Sequence, residues 1–569
     1  MVIKPSSFIA SITHYIKRVS DLVGSLSFRE RALFWPLFWI SLISFVALIT
    51  FANNKFLVSV PLAGGSFTEG IVGRPGFINP VLALSDTDKD LVQLVYSGVV
   101  RRAPNGEFIP DLAKDISVSS DGLSYTVTLK DDLVWHDEKP LTARDILFTI
   151  QKIQDPLLKS PLQASWDGVI VELVSNEVIT FSLNNPYALF FDNLAVGILP
   201  EHIWNNFAIE DFNNNLFNTE PIGSGPYKIG HIKRDGAGIV KEYELSSFSN
   251  FSLGEPYIET IRLKFFSDEE TPLSALKEKD IDSLAGIKPK DAQTLSQENI
   301  KPFPLTRIFA IFLNQNKLKT FINEAVREAL FFGVDRKKIV DAVLFGFGTP
   351  LSEPLPFGSF GHQGISSEKS KKEVMDILTG DDWKINENGV FEKKDEELSF
   401  TLATANVPEL KSVAEEIQKQ WQEIGVRVDI KIFEIGDLNQ EIIRPREFDS
   451  LLFGEIAGRD PDPFAFWHSS QRLDPGLNIA LYTNISADKL LEEIRTTQDR
   501  KDRLEIYKSF TEEIEKEIPA VFIYAPQYIY KTPEKIKNIM PFPITLGSER
   551  FINVYEWYIN TDTVWKIFL

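Results

Sequence analysis

The stretch "LSFTLATANVPELKSVAEEIQKQWQEIGVRVDIKIF" (398–433) has the clearest topology in the chain. Residues 398–405 and 426–433 have the composition and alternation of strands. Between them, 408–425 reads as an 18-residue helix ended by Gly425. Strand, helix and strand make a βαβ unit, which predicts two parallel strands joined by a right-handed crossover. "FDSLLFGEIAG" (448–458) adds another buried strand. Ligands of open parallel sheets bind beyond the carboxyl ends of the strands, so the loop beginning near Gly454 is a binding-site candidate.

Strands and helices alternate irregularly elsewhere. Residues 125–135, 178–184 and 257–266 alternate with period two, as half-buried strands do. "TARDILFTIQKIQ" (142–154) spaces Ile146, Leu147, Ile150 and Ile153 as a helix, with Thr142 as its cap and Asp145 three residues on. No 20–50-residue period repeats, which argues against a solenoid or propeller. A chain of 569 residues is too long for one core, so two or three domains or lobes are expected. Apolar residues at 43% and charged residues at 25% mark it as folded. Cysteine is absent, excluding disulfides, thiolate metal sites, a cysteine nucleophile and a lipid carried on an N-terminal cysteine. A net charge of −20 argues against a nucleic-acid partner, because phosphate binding needs a basic surface.

Residues 32–52, "ALFWPLFWISLISFVALITFA", contain no charge. As a helix they span roughly 31 Å, matching the ~30 Å hydrocarbon core. Their many Leu, Ile, Phe and Val residues, each favouring insertion by roughly 0.3–0.6 kcal/mol, outweigh Pro36 near one end. Before this segment stand Lys4, Lys17, Arg18, Arg29 and Arg31 against Asp21 and Glu30. The positive-inside rule then leaves 1–31 in the cytoplasm and everything after 52 outside. A signal peptide cleaved after Ala52 is the rival, since Thr50-Phe51-Ala52 loosely fits a cleavage site. The apolar run exceeds the usual 7–15 residues and sits behind 31 others, which favours an uncleaved, single-pass anchor. Residues 53–65 read as a linker.

The chemistry-bearing motifs are few. There is no phosphate-binding G-x-x-x-x-G-K-[ST], no H-E-x-x-H and no G-x-S-x-G elbow, and the six histidines are scattered. "VWHDEKPLTARDILFTI" (134–150) gathers His136, Asp137 and Glu138 beside Trp135, as a metal or proton-relay site would. Adjacent side chains on a strand end point to opposite faces, however, and the run reads throughout as a hairpin leading into a capped helix. "FGEIAGRDPDPFAFWHSSQ" (453–471) leaves two readings open. Asp460 and Asp462 in a proline-stiffened turn, with Phe464, Phe466 and Trp467, suit a ligand amine and its side chains. They equally suit a rigid turn whose aromatics pack inward.

Taken together, "GIVGRPGFINPVLALSDTDKDLVQLVYSGVV" (70–100), "PDLAKDISVSSDGLSYTVTLKDDLVWHDEKPLTARDILFTI" (110–150), "PIGSGPYKI" (221–229), "FLNQNK" (312–317), "VREALFFGVDRKKIV" (326–340) and the DPDP segment resemble family 5 of the extracytoplasmic solute-binding proteins. These are the oligopeptide- and dipeptide-binding receptors of ABC importers. The resemblance covers nearly all of 66–569. It implies an α/β, two-lobe, Venus-flytrap fold (type II) that closes on its ligand, with an extra subdomain inserted in lobe I. By resemblance, lobe I is 66–85, 190–308 and 521–569, the inserted subdomain is 86–189, and lobe II is 309–520. The matching ligand segments are 223–227, 313–316 and 454–457. They nominate Gly223, Ser224, Gly225, Tyr227, Asn314, Gln315, Gly454, Glu455, Ala457, Asp460 and Trp467 as ligand-binding. Family members that bind peptides use an aspartate before the DPD-like turn for the ligand's α-ammonium, and Ala457 takes that place here. Either Glu455 or Asp460 replaces it, or no free amine is captured. The resulting expectation is a membrane-anchored, monomeric receptor without cofactor or metal, passing peptides to an ABC permease. The alternatives are a solute sensor, a receptor for a sugar, metal chelate or haem, an envelope-structural protein, and a cleft peptidase using Asp460 or Glu455.

Overall fold

The computed structural model describes residues 17–18, 21–355 and 369–566. Lys4, His14 and most of the predicted cytoplasmic tail lie outside the described residues, as do 356–368 and 567–569. Two compact units make up the chain, Met1–Leu62 with Asn560–Leu569, and Ala63–Ile559.

In the first unit, helix Phe28–Phe56 starts at a capping box in which the Ser27 N–H donates to Glu30 at 2.8 Å. Within Phe28–Phe51 the most apolar 18-residue stretch has a mean hydropathy of 2.2, and the segment is long and apolar enough to cross a membrane. Leu33, Trp35, Leu37, Trp39, Ile43 and Leu48 are all exposed, so no single apolar face is set aside for a protein core. The expected linker is instead ordered. The helix continues past residue 52 to Phe56, and strand Leu57–Leu62 pairs antiparallel with Asn560–Trp565.

Among the described residues the second unit holds, besides a small cluster around Ile281, Leu284 and Ile529, two large hydrophobic cores. One draws on residues from Phe67 to Phe303 and from Tyr530 to Trp557, the other on Ile308 to Tyr524. The fold is therefore two-lobed. The βαβ unit is found in the second lobe: strands Ser399–Ala405 and Arg427–Phe433 are parallel, joined by helix Pro408–Gln422. Leu410, Val413, Ala414, Ile417 and Trp421 bury one stripe of that helix. Strand Ser450–Ile456 lies on the other side of Ser399–Ala405, also parallel to it.

Strand Ala520–Lys531 joins the lobes. Its first half pairs with Arg307–Leu313 and Gly348–Pro350 in the second lobe. Its second half pairs with Ile300–Pro304 and Ser283–Ile287 in the first. Among the described residues, twelve strands are thereby linked into one sheet. Residues 300–313 and 520–531 run side by side, with a break at 305–306, where the Leu305 N–H donates to Pro526 O at 3.0 Å.

Four antiparallel strands, Ala113–Val118, Ser124–Leu129, Val178–Ser182 and Ile170–Leu173, form a separate sheet beside helix Ala143–Gln154. That helix starts at the expected Thr142–Asp145 capping box, with the Thr142 N–H donating to Asp145 at 2.8 Å.

A buried ion cluster fastens the first lobe. Arg550 donates to Glu69 and to Asp90, each at 2.7 Å, and all three are nearly inaccessible. Tyr530 donates to the second oxygen of Glu69 at 2.7 Å. One guanidinium thus ties strand Ser66–Val72, helix Asp86–Val95 and the turn Gly547–Phe551 to the crossing strand. Removing one partner of such a cluster leaves buried charge uncompensated. Arg550→Leu is expected to lower unfolding stability by about 3–5 kcal/mol in urea titration. Adding Glu69→Gln and Asp90→Asn should recover part of that loss. A triple variant no more stable than the single one would contradict this account.

Candidate functional site

The segment 223–227 is packed inside the first lobe. A Cβ on Gly223 would lie 1.9 Å from Val95 O, and one on Gly225 2.5 Å from the Val95 carbonyl carbon. Glycine is required because helix Asp86–Val95 ends against this backbone. The Gly225 N–H donates to Val95 O at 2.8 Å, and Ser97 donates to Ser224 O at 3.2 Å. His136 takes up the rest. Its N–H donates to Gly223 O at 2.8 Å, its Nδ1 accepts from the Gly223 N–H at 3.2 Å, and its Nε2 donates to Gly225 O at 3.0 Å. Tyr227 is fully buried and donates to Ile258 O at 2.9 Å. The tryptophan–histidine–aspartate run and the Gly-Ser-Gly run therefore clasp each other. The backbone groups of 223–225 named here are already paired within the lobe.

In the second lobe, strand Ser450–Ile456 sets Gly454 opposite Phe309, whose ring would lie 2.8 Å from an added Cβ. That ring stacks on Tyr524 at 4.9 Å. Glu455, next along the strand, points to the other face and into the core. It accepts from Trp467 Nε1 at 3.3 Å, its Oε2 has no hydrogen-bond partner among the described residues, and burial pushes its carboxyl up to about 8. Trp467 is fully buried against Phe312 and Phe522. Asn314 and Gln315 follow the far end of strand Arg307–Leu313, about 16 Å along the strand direction from the Phe309–Gly454 pair. There Asn314 closes a turn by accepting from the Asn316 and Lys317 N–H groups.

The DPDP turn is held by a helix pair. Arg503 donates to Asp460 at 2.8 Å, and Arg495 binds Asp462 through Nε and Nη2 at 2.6–2.9 Å. Arg495 also lies 3.9 Å over the Phe464 ring, which stacks on His468. The Ala457 N–H donates to Thr306 O at 2.9 Å, beside the lobe crossing. The structure thus groups Gly454, Ala457 and Asp460 near the crossing. Asn314 and Gln315 lie at the far end of strand Arg307–Leu313, and 223–227 pack within the first lobe.

Between these residues stands one that the sequence reading passed over. Gly458, at φ +81°, turns the chain, and Arg459 leaves the second lobe with its side chain only 4% exposed. Its Nη2 donates to Ala103 O and Pro104 O in the first-lobe half of the molecule, both at 3.0 Å. Its Nη1 has no hydrogen-bond partner among the described residues and lies 3.9 Å from Glu549. Burial lowers the guanidinium to about 10 and pushes the Glu549 carboxyl up. Arg459 lines a cavity of about 330 Å³ together with Tyr96, Arg101, Arg102, Trp166, Asp192 and Glu549. Arg101 is paired with Asp111 at 2.9 Å and Arg102 with Asp192. A second bond between the lobes runs from the Ala188 N–H to Arg495 O at 2.8 Å. An arginine wedged between a left-handed glycine and a proline-stiffened turn was the available signal for Arg459. Arg102, Asp192 and Glu549 carry none.

Residues 107–474 match the family described as bacterial extracellular solute-binding proteins, family 5 Middle. The oligopeptide-binding protein AppA of Bacillus subtilis is 28% identical over 527 residues, 89% of this chain and 94% of AppA. Its structure in complex with a nonapeptide superposes with a TM-score of 0.64, covering 88% of this chain and 100% of that one. NikZ of Campylobacter jejuni, solved in complex with Ni(L-His), is 27% identical with a TM-score of 0.66, covering 87% and 99%.

The clasp has a pH signature. Burial lowers His136 to about 4, against about 6.5 when unfolded. Because the unfolded chain binds the proton more readily, this contribution is complete above pH 6.5 and is lost as pH falls towards 4. Between pH 7 and 4.5 the wild type should lose about 2–3 kcal/mol more than His136→Asn, read from urea midpoints. Parallel pH dependences of the two proteins would contradict it.

Proposed function

The chain belongs to the bacterial extracellular solute-binding proteins of family 5, and from that premise we propose that it captures short peptides between its lobes and delivers them to an ABC permease. The observation that carries the reading is Arg459, which reaches from the second lobe to the rim of a charged cavity lined otherwise from the first-lobe half. A volume of about 330 Å³ falls at the lower end of small-molecule sites. It suits a few residues rather than a long peptide. In this reading Arg459 Nη1 meets the peptide's carboxylate. Ligand touching both lobes favours the closed state, the form a permease would select.

The role is binding rather than turnover. His136 is neutral and occupied by backbone, Glu455 sits in a core, and Asp460 is held by Arg503, so none of them is poised as an acid–base pair. The 29-residue helix Phe28–Phe56 anchors the receptor, and its unbroken course past residue 52 supports retention over cleavage.

Native mass spectrometry of the detergent-solubilised full chain, followed by denaturing release, tests the ligand class. Co-purified short peptides of mixed sequence support the proposal. A single metal chelate or other non-peptide solute, as the NikZ complex suggests, keeps the receptor and discards the peptide. Calorimetry tests the residue. Arg459→Ala should weaken a free-carboxylate tripeptide by roughly 10- to 100-fold, the scale of a charge-assisted hydrogen bond, and its C-terminal amide far less. Equal losses for both would leave Arg459 only a lobe-to-lobe contact.

A further inference from the structure

Helix Phe28–Phe56 runs without a break into strand Leu57–Leu62, whose partner is Asn560–Trp565. The register is antiparallel, from Leu57 opposite Trp565 to Leu62 opposite Asn560. Opposed Cα atoms in such a pair lie about 4.5–5.5 Å apart. Trp565 therefore stands beside the first residue beyond the apolar helix, although 508 positions separate the two in sequence.

The two ends of this ribbon differ in chemistry. At the helix end stand Lys55, Phe56, Leu57, Trp565 and Lys566, with Phe56 49% and Trp565 44% exposed. Further along, Thr561, Asp562 and Thr563 are exposed and polar. Amphipathic aromatic rings and lysines next to an apolar helix are the composition of a membrane–water boundary. There a ring sits at headgroup level, and an ammonium group meets lipid phosphate. A solvated ribbon is the competing account. An isolated two-stranded ribbon is marginally stable in water, though, and this one exposes most of its side chains.

We infer that Trp565 and Lys566 lie in the lipid headgroup layer, making strand Asn560–Trp565 a second membrane contact of the chain. The inference rests on the proposed anchor. Its consequence is mechanical. The chain leaves for residues 63–559, and returns from them, at Leu62 and Asn560, the paired far end of the ribbon. The two strands then leave the headgroup layer together, paired over about 20 Å.

The absence of cysteine makes any introduced cysteine a unique label. Full-length Leu48→Cys, Thr561→Cys and Lys566→Cys variants would carry a nitroxide in vesicles of mixed phosphatidylcholine and phosphatidylglycerol. Collision with oxygen and with a water-soluble nickel chelate then reads depth. The Leu48 label should be deep, the Thr561 label aqueous, and the Lys566 label shielded from the chelate about fivefold or more relative to Thr561. Equal chelate access at 561 and 566 with Leu48 still deep overturns the interfacial contact and leaves the anchor standing. An aqueous Leu48 label overturns both.

Discussion

Strand Ala520–Lys531 belongs to two lobes at once, and the arrangement of the rest follows from that constraint. Its neighbour across the boundary, 300–313, also passes from one lobe to the other, so two adjacent antiparallel segments make the connection. Neither is regular where they cross. Pro526 offers no N–H to the ladder, and the pairing shifts register between Phe309 and Ala310. Thr306 turns aside, its N–H donating to Ile544 O and its hydroxyl lying 2.9 Å from that of Thr545. A few residues of irregular backbone between two packed cores are where a rotation of one lobe can be absorbed. The Ala457 N–H is bonded to Thr306 O at this point, so the loop that carries Arg459 takes its position from the crossing itself.

Features set by local periodicity were legible in the sequence. The 398–433 unit, the Thr142–Asp145 cap and the long apolar helix each depend on residues that are close together in sequence. Partners distant in sequence were not legible. Nothing near Asp460 and Asp462 announces Arg503 and Arg495, and nothing near Arg459 announces Ala103, more than 350 positions earlier. Gly223 and Gly225 illustrate a subtler limit. A glycine pair signals that some backbone comes close, but the pattern is the same whether that backbone is a bound peptide or, as here, the end of helix Asp86–Val95. Glu455 is different again. Period-two alternation already sets it on the face opposite Gly454, so its burial beside Trp467 follows from the strand once the strand is accepted.

The molecule uses buried charge in two ways that differ in consequence. In the first lobe, Arg550 with Glu69 and Asp90 forms a closed cluster whose members satisfy one another. Such clusters add little net stability over apolar packing, but they penalise any arrangement that separates the partners. Here that penalty holds a strand, a helix and a turn to the crossing strand, giving the lobe a rigid frame. Under the proposed capture between lobes, a lobe that rotates as one body needs such a frame, because internal give would dissipate the rotation.

Arg459 follows the opposite logic. Arg495 and Arg503 face Asp462 and Asp460, while Arg101 and Arg102 face Asp111 and Asp192, so each of those guanidinium charges is matched at close range. Arg459 is fixed instead by two neutral carbonyl oxygens, which orient its planar fork without cancelling its charge. The nearest carboxylate, Glu549, stands 3.9 Å away, and burial favours its neutral form. Desolvation without full pairing is costly to the protein alone, and an arriving carboxylate relieves that cost. On the proposed reading, a side chain held in place by dipoles, with one donor unpaired among the described residues, is completed by the ligand.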